Sequence, residues 1–321
     1  MPSTSDWKVA ASVQPKGNDY SFDLDRALQS VVGLRATIPT DAFTAQTLGT
    51  ERAGHGVMIR SDGLILTIGY LITEAEQIWL HLADGRAVPG HALAFDQATG
   101  FGLVQALARI DVPALPLGNS SSLKVGEAVV VGGAGGRKRS VAASVVGKQE
   151  FAGYWEYVLD EAIFTAPSHP NWGGTALIGP TGELLGIGSL QLEASGGKDI
   201  NMVVPIDLLK PAMDELLSYG RRKGPAKPWL GFYVADTDDK LVVMGLASKG
   251  PAQRAKIESG DVVLAVDDVN AESLADLFRK VWSTGDAGVD VPLTLLRDGK
   301  TVEVVVKSAD RHSFLKSPRL H

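Results

Sequence analysis

The sequence predicts a mainly β fold built from small barrels. Short runs of alternating apolar residues recur along the first two thirds of the chain, each closed off by Gly, Asp or Pro. Many short strands with frequent turns are the pattern of barrels, because no single strand is long enough to make an open sheet of its own. These runs fall into two successive sets. Apolar residues at helical spacing follow the second set, and a stretch rich in Gly, Pro and basic residues then separates off a third region.

In chain order, residues 1–27 read as a polar N-terminal arm with Tyr20 and Phe22 as candidate anchors. The first set of strands is expected at Gly54–Arg60, Leu64–Ile68, Ile78–Leu82 and Phe101–Leu107, with a Ser61-Asp62-Gly63 turn joining the first two. The second set is expected at Ala128–Gly132, Val141–Gly147, Tyr157–Ala166, Leu184–Leu192 and Met202–Pro205. Ile206, Leu209, Met213, Leu216 and Leu217 share a helical face, so one helix is expected from Ile206 to Tyr219. Residues 28–219 then form one domain, 220–228 a linker, 229–310 a second domain and 311–321 a tail.

Composition narrows the function only broadly. A chain of 321 residues is long enough for two or three domains, each with its own core. The net charge of −6 argues against general nucleic-acid binding, and Arg137-Lys138-Arg139 and Arg221-Arg222-Lys223 read as solvated loop and linker charge. Cysteine is absent, which excludes disulfides and thiol chemistry. No apolar run approaches the ~20 residues of a membrane span. His55, His81, His91, His169, His312 and His321 show no metal-ligand spacing, and no metal or cofactor is expected. Gly132-Gly133-Ala134-Gly135-Gly136 lacks the Lys-Ser/Thr of a phosphate-binding loop.

The most informative segment is Pro170-Asn171-Trp172-Gly173-Gly174-Thr175-Ala176-Leu177, running into Gly182-Glu183-Leu184-Leu185-Gly186-Ile187. It resembles the nucleophile segment of trypsin-like serine proteases of the HtrA (DegP-like) family, Gly-Asn-Ser-Gly-Gly-Pro-Leu followed by Gly-Glu-x-x-Gly-Ile. The resemblance covers about Val31 to Tyr219, and it implies a trypsin-like double β-barrel with the cleft between the barrels. The family's serine position falls on Trp172, which has no hydroxyl. The family's histidine follows a hairpin like Gly54–Leu71, where its position is Tyr70, a poor base at neutral pH. The aspartate position, within Asp96–Val104, is Gly100. One oxyanion donor would be the backbone N–H of residue 170, but Pro170 has none.

A protease without its triad retains about 10³–10⁴-fold catalysis over water, and one oxyanion donor is worth about 10²–10³ in rate. The expectation from these four positions is a protein that is not an enzyme, a pseudoprotease in which Trp172 fills an abandoned pocket. A relocated Ser168–His169 dyad is the catalytic alternative, opposed by the opposite directions of neighbouring side chains on an extended loop. The alternative function is then a serine endopeptidase with relocated or residual activity.

From about Pro228 to Ser308 the chain resembles a PDZ domain of the HtrA type, an α+β module. The resemblance rests on Trp229-Leu230-Gly231-Phe232, Gly250–Ala255, Gly260–Asp267 and Leu295–Lys300, in that order and spacing. Such a domain adds an extended peptide to its sheet and captures the C-terminal carboxylate on backbone amides. By resemblance the capturing loop is Trp229, Leu230, Gly231 and Phe232. The neighbouring helix is expected to start near Ser273, a good N-cap, and to present Leu274, Leu277, Phe278 and Val281. Leu274 and Phe278 are the peptide contacts of choice, while Leu277 and Val281 suit the core. The expected partners are polypeptides, through C-termini or exposed strands, with an adaptor, scaffold or holdase role and a trimer implied by the resemblance. Met1–Lys8 lacks the basic start and apolar core of a secretory signal. This favours the cytoplasm, with the periplasm implied if the chain is a processed form.

Overall fold

The computed structural model describes residues 7–194, 196–238 and 240–316. They divide into two compact units, one comprising residues 7–149 and 161–222 with residue 316, the other residues 150–160 and 223–315.

The first unit holds two closed six-stranded barrels. Strands β1 (Val31–Thr37), β2 (Glu51–Arg60), β3 (Leu64–Ile68), β4 (Gln77–His81), β5 (Ala87–Phe95) and β6 (Phe101–Ala106) close in the order β1-β2-β3-β6-β5-β4. Strands β7 (Ala128–Gly132), β8 (Val141–Gly153), β9 (Tyr157–Ala166), β10 (Ala176–Ile178), β11 (Leu184–Ala194) and β12 (Lys198–Pro205) close in the order β10-β11-β12-β9-β8-β7. Side-chain alternation decides which face is inside: in β4, Ile78 and Leu80 are buried while Gln77, Trp79 and His81 are exposed. β3 is buried along its whole length, so its continuous apolar run reads both faces at once.

The short helix α1 (Leu24–Gln29) precedes β1, capped by the Asp23 carboxylate, which accepts from the Arg26 N–H at 3.0 Å. From residue 7 onward, the arm before it packs onto the second barrel. Val9 is buried in the second barrel's core with Val129, Val131 and Val203, and its N–H donates to the Lys138 carbonyl at 3.0 Å. Tyr20 and Phe22 meet at 5.5 Å between ring centres. The sequence start read for a secretory signal lies, over residues 1–6, outside the described residues.

A four-residue helix, α2 (Ala45–Leu48), lies between β1 and β2. The single helix expected from Ile206 to Tyr219 is instead a 3-10 turn at Ile206–Leu208 followed by α3 (Met213–Tyr219). Pro211 has no N–H to extend the first turn, and Gly220 ends α3 in the left-handed region at φ 71°.

In the second unit β13 (Phe232–Thr237), β14 (Lys240–Leu246), β15 (Val262–Val266), β17 (Asp290–Arg297) and β18 (Lys300–Lys307) form one sheet in the order β13-β14-β15-β17-β18, with β16 (Val269–Asn270) paired to β15. Two helices complete it, α4 (Pro251–Arg254) and α5 (Leu274–Ser283). Ser273 caps α5 as expected, its hydroxyl accepting from the Asp276 N–H at 3.2 Å. Leu230, Phe232, Val234, Leu277, Phe278, Val281 and Leu295 share one core. The fold is thus the mainly β one that the sequence predicts, with an α+β module after the barrels. Of the tail, Arg311–Phe314 forms a 3-10 turn and Phe314 packs on Trp229 at 4.9 Å. Residues 317–321 lie outside the described residues.

Candidate functional site

The folding of the first unit brings the three triad positions of the protease frame together. Tyr70 lies in a 3-10 turn, Gly69–Leu71, immediately after β3. The Gly69 N–H donates to the Gly100 carbonyl at 2.6 Å, so the turn carrying position 100 abuts the one carrying position 70. The Tyr70 hydroxyl donates to the Ser189 carbonyl at 2.9 Å. Burial pushes the Tyr70 phenol well above its usual range, with the Trp172 side chain pulling the other way. Tyr70 is therefore neutral and held by the Ser189 carbonyl. The Tyr70 carbonyl accepts from buried Arg52 at 2.7 Å, and the same guanidinium reaches the Thr73 carbonyl at 3.1 Å and Thr44 Oγ1 at 2.8 Å.

The loop from Pro170 to Thr175 is fixed by backbone bonds. Trp172 is half-buried, and its carbonyl accepts from the Thr175 N–H at 3.2 Å and Thr175 Oγ1 at 2.8 Å. Gly174 sits at φ +80°, and a Cβ there would lie 1.9 Å from the His55 carbonyl oxygen. Only glycine fits. Pro170 is exposed.

Two histidines that sequence spacing left without a role lie beside this loop. His55 Nδ1 accepts from the Ala134 N–H at 3.1 Å, so the ring proton sits on Nε2. His169 accepts from the Asn171 N–H at 3.1 Å through Nδ1 and donates to the Arg139 carbonyl at 2.8 Å through Nε2. Both ring nitrogens of His169 are thus occupied by backbone. The rings lie 5.7 Å apart, edge to face. Burial, then the His169 ring, pushes His55 down to about 3, and burial also lowers His169. A cavity of about 600 Å³ opens next to them, with Trp7, Arg35, His81, Lys138 and Arg139 in its wall. Among the described residues no group of acidic, His or Cys side chains is placed to hold a metal.

In the second unit the loop Trp229–Phe232 presents its backbone amides to a carboxylate. The Leu230 N–H donates to Glu156 Oε1 and Oε2 at 3.2 and 3.0 Å, and the Gly231 N–H to Oε1 at 2.7 Å. Gly231 takes φ +74°, which turns successive amides to one side. The loop is anchored from behind: Ala252 N–H donates to the Leu230 carbonyl at 2.7 Å and Ala247 N–H to the Gly231 carbonyl at 2.8 Å. The Trp229, Leu230 and Phe232 side chains are buried, so the loop meets its ligand with backbone, not side chains. On α5, Leu274 is partly buried, whereas Leu277, Phe278 and Val281 are fully buried in the core. Phe278 packs against Phe232 and Trp282. Sequence reasoning missed Glu156. It is 4% exposed with φ +61°, and burial pushes its carboxyl up to about 7 against the pull of the Leu230 and Gly231 amides and of Arg311.

The family model described as trypsin-like peptidase domain matches residues 54–187, and the one described as PDZ domain matches residues 228–307. A relative named as a probable periplasmic serine protease do/HhoA-like, from Haemophilus influenzae, is 29% identical over 283 residues, covering 82% of this chain and 60% of its own length. A probable periplasmic serine endoprotease DegP-like from Halomonas elongata is 28% identical over 271 residues, covering 80% of this chain and 56% of its own. The chain thus spans about three fifths of the length of these relatives. Among solved structures, the HtrA-type protease AlgW with a tripeptide superposes with a TM-score of 0.52 at 22% identity, covering 92% of this chain and 97% of that one. The same protease with a decapeptide gives 0.52 at 22% identity, covering 92% and 98%. At that identity the likeness is one of fold.

These relatives correct one expectation from the sequence. The reading that the chain is not an enzyme does not stand, because the matched relatives are named serine proteases and endoproteases, which points to protease activity. The contacts of Tyr70 and Trp172 describe packing and are no test of hydrolysis.

Proposed function

We propose that the chain is an HtrA-like protein, a trypsin-like peptidase domain joined to a PDZ domain, and that it recognises polypeptides through the carboxylate loop of the PDZ domain. One observation carries the reading: the amides of Leu230 and Gly231 converge on a single carboxylate group at 2.7–3.2 Å. Trp229 and Phe232 frame that loop, and Leu274 and Phe278 belong to the helix beside the groove. A free C-terminus offers the same two oxygens on an extended strand, which is how sheet-adding modules take their ligands. Such binding suits an adaptor or holdase, and in a protease the same contact delivers substrate.

A second reading, endopeptidase activity, is favoured by the names of the relatives. Because Trp172 carries no hydroxyl, the attacking oxygen would come from another side chain. The periplasm, which the names of the same relatives carry, is the location we propose in place of the cytoplasm. The domain limits of the sequence reading and a trimeric assembly complete the proposal; mass photometry reports the assembly.

Peptide binding to the full chain tests the first reading. Amidating the peptide's terminus should weaken binding by about 1.5–3 kcal/mol, the range for hydrogen bonds to a charged group. Equal binding of free-acid and amidated peptides would place recognition elsewhere. A fluorophosphonate probe, with the labelled residue located by mass spectrometry and casein cleavage followed in parallel, tests the second. Labelling identifies the nucleophile, and absence of both labelling and cleavage removes the reading.

A further inference from the structure

We infer that the PDZ groove is already occupied by a ligand from its own chain, the segment Tyr154–Glu156, and that an incoming C-terminus must compete with it. The inference rests on the C-terminal-capture reading above and goes beyond it by naming the resident occupant.

Three independent contacts place this segment as a bound peptide would lie. First, the Glu156 carboxylate takes the Leu230 and Gly231 amides. Second, the Val234 N–H of β13 donates to the Tyr154 carbonyl at 3.0 Å. Tyr154 is two residues before Glu156, and Val234 is two residues after Phe232. The segment is the turn between β8 and β9, so it meets the edge of β13 through one backbone bond while the Glu156 side chain reaches the loop beyond. Third, Arg279 on α5 pairs with both flanks of the segment, with Glu150 at 2.5 Å and with Asp160 at 2.6 Å. Loop, edge strand and helix are the three walls of the groove, and each holds residues 150–160. The Tyr154 ring also meets the Tyr233 ring edge to face at 6.0 Å, and Val158 packs against the core.

The chemistry of Glu156 fits an occupant better than a structural strut. A side-chain carboxylate has the same two acceptor oxygens as a terminal one, but this chain continues to Tyr157. Glu156 holds its place at φ +61°, a conformation non-glycine residues seldom adopt, and its carboxylate is nearly out of water. Both features cost free energy. A terminal carboxylate on the same amides also loses its water but needs no left-handed backbone behind it, so it can displace the internal one. Occupancy by the tethered segment lowers the apparent affinity for a free ligand by the fraction of time the groove is open.

The test uses the full chain in three forms: wild type, Glu156→Gly, which also suits the positive φ, and Arg279→Ala, which releases the flanks without touching the loop. Each is titrated with a fluorescent peptide library randomised over its last four residues, as free acids and as amides. Amide hydrogen exchange is followed at Leu230, Gly231 and Val234. Free-acid peptides should bind Glu156→Gly at least about tenfold more tightly than wild type, Arg279→Ala should fall between, and both variants should lose protection at the three amides. Equal affinities in all three forms, with free acids still preferred over amides, would overturn the internal ligand and leave C-terminal capture standing. Unchanged protection in both variants would overturn it as well. If no form binds any free-acid peptide, C-terminal capture falls and the competition with it, while lost protection would still place Glu156 on the loop.

Discussion

The Tyr70 hydroxyl donates to the Ser189 carbonyl at 2.9 Å, joining two positions that lie 119 residues apart in the chain. Tyr70 is half-buried and Ser189 buried, so the Ser189 carbonyl would lose its partner where water cannot easily replace it. Tyr70→Phe should therefore cost about 1–3 kcal/mol. Thermal or urea unfolding measures this directly.

A pH dependence follows from His55 and His169. Burial drives both below the usual value of 6.5, His55 to about 3, with the neighbouring ring and Arg139 adding to the effect at His55 and the Asn171 backbone opposing it. The unfolded chain takes up protons below pH 6.5 that the folded chain refuses. Stability from these groups is therefore complete above pH 6.5 and is lost as pH falls from there toward 3. Urea midpoints between pH 7.5 and 5 should fall in the wild type. The fall should be shallower in the His55→Gln/His169→Gln double variant, and an identical slope would remove these two residues as its origin.

Much of the fold was legible in the sequence, and the gaps have physical causes. The limits of β3, β7 and β9 coincide with the apolar runs at Leu64–Ile68, Ala128–Gly132 and Tyr157–Ala166. β5 is absent from the expected strands because Pro89 and Gly90 interrupt its apolar run, although both pair with β4 inside a continuous strand. β10 is three residues long and has no period to read. Pro211 divided a helix whose apolar spacing was otherwise unbroken. At the candidate site the protease frame pointed to residues 70, 100 and 172, and the turn carrying residue 100 lies against the one carrying residue 70. Glu156 gave no signal: a lone acidic residue at a hairpin tip reads as a solvated charge. Its burial depends on amides that lie 74 and 75 residues further along the chain.

Gly174 tests how tightly the loop bearing Trp172 is specified. A methyl group there would lie 1.9 Å from the His55 carbonyl oxygen and 2.8 Å from Thr67 Oγ1. The Thr67 hydroxyl already donates to that carbonyl at 2.6 Å, so neither atom can retreat without breaking the bond. Gly174→Ala should cost more than the about 1–3 kcal/mol of left-handed backbone alone. The loss should show as a lower urea midpoint at an unchanged slope.

The last prediction concerns the second unit, where Asp261 is 1% exposed and paired with Arg297. The pair is two-pronged, with Arg297 Nε donating to Oδ1 and Nη2 to Oδ2, each at 2.6 Å, while Nη1 reaches Glu258. The same guanidinium donates to the Lys256 carbonyl at 3.0 Å, so it ties β17 to the turn before β15. Hydrogen bonding from Arg297 holds the Asp261 carboxyl below its usual range. Its stabilisation is therefore present above the unfolded carboxylate value and lost as pH falls through the folded one. Removing the cation strands a buried carboxylate, so Arg297→Ala should cost about 3 kcal/mol or more. Arg297→Lys keeps the charge but not the planar fork, and should recover only part of that loss. Asp261→Asn in the Arg297→Ala background relieves the stranded charge. Unfolding of the three variants at pH 7 decides the point: a double variant no more stable than Arg297→Ala alone would show that the Asp261 charge is not what the arginine offsets.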